Sequence, residues 1–327
     1  MAAVTVEDLV KTFRVAERQP GTLGALRGVV RRRHRTVHAL EGVSFELQPG
    51  ELVGYIGPNG AGKSTTVKIL SGILVPDSGR CEVLGRIPWR ERVANARDIG
   101  VVFGQRTQLW WDLPVVESFE LLRDIYAVPH ERFRAARAEL VELLDIGPLM
   151  DTPVRQLSLG QRMRCDLVAS LLHSPKMLYL DEPTIGLDAV SKLAVREFIR
   201  RLNRERGVTI ILTTHDMDDI EALCSRVIVI GSGRILSDGP LEALRARVTT
   251  ERRLIVDLAD GAGPFESVGA EVVMREGARV HLRFDPARVS APELIARITN
   301  GNAIRDLIVE NPPIEEVIAR LYGEADR

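Results

Sequence analysis

Short apolar runs rich in Val, Ile and Leu recur along this 327-residue chain and alternate with stretches whose apolar positions fall every three to four residues. Residues 51–56, 99–103, 177–180, 208–212 and 227–230 are nearly continuous apolar runs and read as buried strands. Residues 90–98, 115–127, 131–145, 189–205 and 216–223 carry helical spacing, with Pro114 and Pro129 as breaks. A further helix, ending near Leu172, is predicted to follow a loop at residues 157–161. Residues 4–9 and 37–47 alternate as half-buried strands do, and residues 80–84 read as another strand. Turns are marked by Gln48-Pro49-Gly50 and Pro76-Asp77-Ser78-Gly79, and a hairpin crosses Gly231-Ser232-Gly233. Strands alternating with helices predict an α/β fold over residues 1–240. The pattern changes around 240–248. Strands at 254–258, 271–274, 280–284 and 304–309, with helices at 291–298 and 314–321, predict a small α+β domain over 245–327.

The strand at 51–56 runs into Gly57-Pro58-Asn59-Gly60-Ala61-Gly62-Lys63-Ser64-Thr65, and helical residues 66–70 follow. This fits the phosphate-binding pattern G-x-x-x-x-G-K-[ST] in its required strand–loop–helix setting. The glycines let successive backbone N–H groups turn toward an anion, and the helix N-terminus adds partial positive charge. Lys63 can reach terminal phosphates and the Ser64 hydroxyl can ligate Mg²⁺. Asp181 and Glu182 close the strand at 177–180, and His215 follows the strand at 208–212. Ligands of α/β sheets gather at such carboxyl ends, so Asp181 and Glu182 are expected to meet the phosphates and His215 to be a functional rather than a structural residue.

Composition removes several classes. A formal net charge of −1 gives no bias toward nucleic acid, and none is expected as a partner. No apolar run is long enough to span a bilayer, and the acidic, alternating start is unlike a signal peptide. Cys81, Cys165 and Cys224 stand far apart and without metal-ligand spacing, as reduced core thiols of a cytosolic protein would. Residues 14–36 form a basic insert ending Arg31-Arg32-Arg33-His34-Arg35. It reads as a solvated loop, with contact to anionic lipid or a membrane partner as the sharper alternative. On its own, Phe13 reads as a plug at a sheet edge.

The ordered set Gly57–Thr65, Gln105, Leu157-Ser158-Leu159-Gly160-Gln161, Asp181-Glu182, Leu187-Asp188 and His215 resembles the ATP-binding subunit of ABC transporters, over about residues 4–240. The resemblance implies a P-loop NTPase fold of the ABC-ATPase type with a helical subdomain at about 106–173. It implies ATP and Mg²⁺ as cofactors, and a head-to-tail homodimer sandwiching two ATP molecules. In that arrangement Leu157–Gln161 is the signature loop, and Ser158 and Gly160 bond the γ-phosphate held by the opposite chain's Lys63. Asp181 holds Mg²⁺ through water, with Ser64 and Gln105 as further ligands. Glu182 orients or deprotonates the attacking water, His215 contacts the γ-phosphate, and Asp188 sits across the dimer seam. The resemblance also reverses the reading of Phe13, which matches the adenine-stacking aromatic.

Two departures stand out. Leu159 occupies the usual glycine position of the signature, which raises the question of slower turnover. Gly104 intervenes before the glutamine loop, making Gln105 the choice and Gln108 the fallback. Trp110 and Trp111 lie where the family docks its membrane subunit; core packing is the competing reading. The tail Ile304–Val317 resembles that of ABC-2 type exporter ATPases and implies ABC-2 type permease subunits as partners, at the cytoplasmic face of the membrane. Two alternatives remain open: a soluble ABC protein acting on ribosomes or DNA, and an ATP-binding regulator that does not hydrolyse.

Overall fold

A computed structural model describes residues 2–16, 34–104, 106–248, 251–259, 269–311 and 314–325. The chain divides into two compact units, Met1–Gly239 and Pro240–Arg327.

In the first unit, strands β1 (Val4–Ala16) and β2 (His34–Leu47) form a long antiparallel pair. This corrects the sequence reading at the ends of the basic insert. Residues 14–16 and 34–36 continue the strands, pairing Arg14 with Thr36 and Ala16 with His34. The rest of the insert lies outside the described residues. β3 (Leu52–Ile56) leads through the glycine-rich loop to helix α1 (Lys63–Leu70), which begins at the lysine itself rather than at residue 66. β4 (Ser78–Val83), α2 (Arg92–Asp98) and β5 (Ile99–Phe103) follow. Then come α3 (Val115–Tyr126), α4 (His130–Leu143) and α5 (Leu159–Leu171). β6 (Met177–Asp181), α6 (Ala189–Arg206), β7 (Thr209–Thr213), α7 (Met217–Leu223), β8 (Arg226–Gly231) and β9 (Arg234–Pro240) complete the unit.

β2-β1-β4 form one antiparallel sheet, and β5-β6-β7-β3-β8-β9 form a second. Pairs β5/β6, β6/β7, β7/β3 and β3/β8 are parallel. β3 and β7 are buried along their whole length, as the near-continuous apolar runs require of strands covered on both faces. The core lies between the sheets. Val4, Val6, Leu40, Val43 and Phe45 meet Val53, Tyr55, Tyr179, Ile211 and Ile228, with Val67, Ile69 and Leu70 of α1 packed among them. α1 is therefore clamped by apolar burial, and its N-terminus is held fixed relative to the ends of β6 and β7. Within the α3–α5 segment, Val115, Phe119, Leu122, Phe133 and Leu140 are buried. Glu120 bridges Arg123 and Arg137, whose guanidinium groups both sit over the Phe133 ring.

In the second unit, β10 (Arg252–Leu258), β11 (Glu271–Glu276), β12 (Arg279–Phe284) and β13 (Ile304–Glu310) form an antiparallel sheet ordered β11-β12-β10-β13. The apolar alternation of β10 and β12 turns Leu254, Val256, Leu282 and Phe284 into a core with Leu294 and Ile298 of the helix Ala291–Gly301. The helix Leu241–Val248 was not evident in the sequence, being short; it packs on the helix Ile314–Ala325. Among the described residues, no helix is long and apolar enough to cross a membrane. The three cysteines are buried and free.

Candidate nucleotide site

Strand register builds the site. Phe103, Asp181 and Thr213 lie in one row across β5, β6 and β7. The residues after each strand therefore emerge side by side, next to the loop leaving β3. Gly104 N donates to Asp181 O at 2.7 Å, and Glu182 N donates to Thr213 O at 2.8 Å. A cavity of about 750 Å³ opens here, lined among others by Gly57, Ser64, Asp181, Glu182 and His215.

The loop has the features an anion needs. No side chain caps α1, and its first turn carries no acidic residue, so the helix presents amide donors and dipole to the cavity without internal competition. Gly62, at the N-cap, has φ +112, and a Cβ there would meet Ala39 O at 2.5 Å; one on Gly57 would meet Ile230 O at 2.3 Å. Lys63 is buried and bonds only loop carbonyls in the described contacts, Gly57 O at 2.5 Å and Pro58 O at 3.1 Å. Burial lowers its pKa, opposed by the carboxylates of Glu182 and Asp181. A phosphate entering the loop offers this cation stronger acceptors than two carbonyls.

Ser64 Oγ donates to Asp181 Oδ2 at 3.0 Å, and Thr213 Oγ1 donates to Asp181 Oδ1, fixing the carboxylate's plane. Hydroxyl and carboxylate together suit a hard divalent cation. A hard cation held by one or two protein oxygens fills the rest of its shell from phosphate and water. Glu182 adopts φ +56, a left-handed conformation that costs a bulky residue strain and is typical of functional positions. His215 Nδ1 lies 3.3 Å from Glu182 Oε1, and the imidazole is largely exposed toward the cavity.

Gly104, read from sequence as a departure, has a structural reason. A Cβ there would fall 2.3 Å from Glu182 O and 3.0 Å from Asp181 O. Only glycine lets β5 end this close to the two carboxylates' backbone. Gln105 lies outside the described residues. The fallback Gln108 lies against α5: its side chain donates to Asp166 O at 3.0 Å and its amide to Asp166 Oδ1 at 3.0 Å.

The remaining predicted residues are not brought to this cavity. Phe13 is half-buried in β1 opposite Val37, with Lys11 Nζ 5.6 Å from its ring centre, and is not among the cavity-lining residues. Helix α5 starts inside the signature segment, not after it. Ser158 is its N-cap, accepting from Gln161 N at 3.2 Å, while Gln161 Oε1 accepts from Ser158 N at 2.9 Å, a complete capping box. Asp188 caps α6 in the same way, accepting from Ser191 N at 2.9 Å, and the Ser191 amide and hydroxyl keep its carboxyl below the usual range. The two helix starts adjoin: a Cβ on Gly160 would lie 3.1 Å from Ser191 Oγ, and one on Gly186 would lie 2.7 Å from Leu159 Cδ2. Ser158 and Asp188 are exposed, beside the exposed apolar side chains of Val190 and Leu193. Trp110 and Trp111 are 38% and 51% exposed, which decides against their being core residues.

Thr213, Thr184 and Asp219 were missed from sequence. Thr213 and Thr184 had a signal, since each flanks a residue already singled out at a strand end; Asp219 had only its place on a charged helix.

A parallel sheet with a glycine loop at the carboxyl end of β3, and the carboxylates and hydroxyl of Asp181, Glu182 and Thr213 at the ends of β6 and β7, defines a protein that binds and cleaves nucleoside triphosphates. The family described as ABC transporter matches residues 40–185. The daunorubicin resistance ATP-binding protein DrrA3 of Streptomyces coeruleorubidus is 33% identical over 306 residues, 90% of this chain and 95% of the relative. The Nod factor export ATP-binding protein I of Burkholderia pseudomallei (strain 1710b) is 37% identical over 301 residues, again 90% and 95%. The methionine import ATP-binding protein MetN of Geobacillus kaustophilus is 38% identical, but over 62% of this chain and 60% of the relative. Among solved structures, CbiO1 from Clostridium perfringens, part of the ABC transporter complex CbiONQ, superposes with a TM-score of 0.60 at 28% identity, covering 75% of this chain and 91% of that one. The chain belongs to the ABC transporter family, of which it is an ATP-binding and ATP-hydrolysing subunit.

Proposed function

We propose that this chain is the ATPase of an ABC-2 type exporter, working as a head-to-tail homodimer beneath separately encoded membrane subunits at the cytoplasmic face of the membrane. The observation that carries the dimer is a separation. Ser64, Asp181, Glu182 and His215 converge on one cavity, with Lys63 bonded to the loop carbonyls of Gly57 and Pro58 that also line it, whereas Ser158 and Asp188 cap two adjoining helices on an exposed, partly apolar surface. A second copy that brings its Ser158 and Gly160 to this chain's phosphates would complete the site and cover Val190 and Leu193.

Lys63 and the amide donors of α1 bind the phosphates; Phe13 supports the adenine. Ser64 and Asp181 would hold Mg²⁺, which neutralises charge on the phosphates when bound. Glu182 orients the attacking water and accepts its proton, and His215 donates to the γ-phosphate while restraining Glu182. The chemistry is positioning and charge neutralisation, for which a fixed carboxylate row is suited. The export reading is supported by the resistance protein DrrA3 and the Burkholderia pseudomallei Nod factor export protein, each of which matches 90% of this chain, its C-terminal part included. Trp110 and Trp111, exposed and adjacent, suit the surface that receives a membrane subunit.

The test is twofold. Lys63→Ala should abolish ATP hydrolysis, and the wild-type chain should co-purify with a multi-span membrane protein encoded nearby. Unchanged hydrolysis in Lys63→Ala, or consistent recovery of ribosomes in place of a membrane partner, would overturn the proposal.

A further inference from the structure

Beneath Glu182 and His215 lies a buried carboxylate that the proposed chemistry does not use. Asp219, on α7, is fully buried. Thr184 Oγ1 donates to its Oδ2, Thr214 Oγ1 lies 3.4 Å from the same oxygen, and Arg196 Nε donates to Oδ1 at 2.5 Å. Each partner comes from a different functional segment. Thr184 is two residues beyond Glu182; Thr214 directly precedes His215; Arg196 is on α6, the helix that Asp188 caps. Asp216 extends the network, accepting from Lys192 of α6 and lying 3.5 Å from Arg196.

A carboxylate taken fully out of water is tolerated only when its oxygens are satisfied, and here losing Arg196 strips Oδ1 of its charged partner while losing Thr184 leaves Oδ2 only the 3.4 Å contact from Thr214. The bonds therefore force these segments to move together. We propose that Thr184, Asp219 and Arg196 are positioning residues for hydrolysis, locking Glu182, His215 and the Asp188-bearing helix into one rigid unit. None of the three lines the cavity or contacts nucleotide in the proposed site. The proposal rests on the assignment of Glu182 and His215 to hydrolysis. It goes further in stating what holds them, and what ties them to the helix facing the opposite site.

Thr184→Val removes the hydroxyl and keeps the shape. We expect kcat to fall about tenfold or more while equilibrium ATP affinity stays within about twofold, because the phosphate loop is untouched. Thr184→Ser restores the donor and should recover most of the rate. Arg196→Lys, which keeps the buried charge but not the fork geometry, should show the same division between rate and affinity. It also carries the test if Thr184→Val does not fold. Wild-type kcat in folded Thr184→Val or Arg196→Lys would overturn the proposal, as would a rate loss matched by equal loss of affinity or of folded protein. Glu182→Gln serves as the control. If it hydrolyses ATP at the wild-type rate, the underlying assignment fails. If it is inactive while the Thr184 and Arg196 variants are normal, only the positioning proposal fails.

Discussion

Gly104→Ala isolates the backbone geometry on which the site depends. The added methyl would lie 2.3 Å from Glu182 O, and the obstructing atoms are backbone, which cannot swing aside. Reaching even a 3.0 Å contact requires the end of β5 and the Glu182 peptide to part by about 0.7 Å. That movement lengthens the 2.7 Å bond from Gly104 N to Asp181 O to as much as about 3.4 Å, weakening it at a net cost of up to about 1 kcal/mol. The larger effect is catalytic. Misplacing a reacting group by about 1 Å costs on the order of 100-fold in rate, so a displacement somewhat smaller should lower kcat by roughly 10- to 100-fold. ATP affinity should change little, because Gly57–Thr65 is built from β3 and α1. Steady-state hydrolysis beside equilibrium nucleotide binding separates the two quantities. Gly147→Ala is the matched control, since its nearest neighbour would be Val141 Cγ1 at 4.0 Å. Wild-type kcat in Gly104→Ala would refute the claim that the close approach of β5 sets the position of Glu182.

Two further variants test other parts of the account. Burial raises the Asp166 carboxyl from 3.8 to about 6, against hydrogen bonds from Thr107 and the Gln108 amide. The unfolded chain thus loses this proton first, and stability should decline by roughly 3 kcal/mol between about pH 4 and 6, then level off. Asp166→Asn should remove that decline in denaturant midpoints compared across the range; an unchanged pH slope would count against it. Ser158→Ala removes the cap of α5 and should cost about 1 kcal/mol of stability, seen as a fall of roughly 2–4 °C in Tm. Its loss of hydrolysis should be far greater than that fall implies, and Ser158→Thr should restore both; a rate loss no larger than the stability loss would make Ser158 merely a cap.

What could be read from sequence was what chemistry and periodicity write locally. Glu51 to Leu70 declared itself because a buried strand, a glycine loop and a helix start succeed one another without interruption. Asp181 and His215 were legible because apolar runs end on them. Register was not legible: nothing local states that Phe103, Asp181 and Thr213 share a row, yet that row explains Gly104 and the left-handed Glu182. Asp219 escaped for a related reason. On a helix beginning Met217-Asp218-Asp219 it reads as one more solvated acid, and only the tertiary placement of Arg196 and Thr184 makes it a buried one. The start of α5 was placed too late although its signal was local: Ser158 and Gln161, three residues apart, form the capping box that makes Leu159 the first helical residue. The role of the basic insert was beyond local pattern, although its strand-forming ends extend the β1–β2 pair.

In the proposed dimer this chain holds half of each ATP site. Sedimentation of Glu182→Gln at saturating ATP and Mg²⁺ tests it most directly. A stable dimer is expected, returning to monomer when ATP is removed or when Ser158→Ala is added; a monomer at saturating ATP and Mg²⁺, or a dimer indifferent to both ATP and Ser158, would refute the shared site.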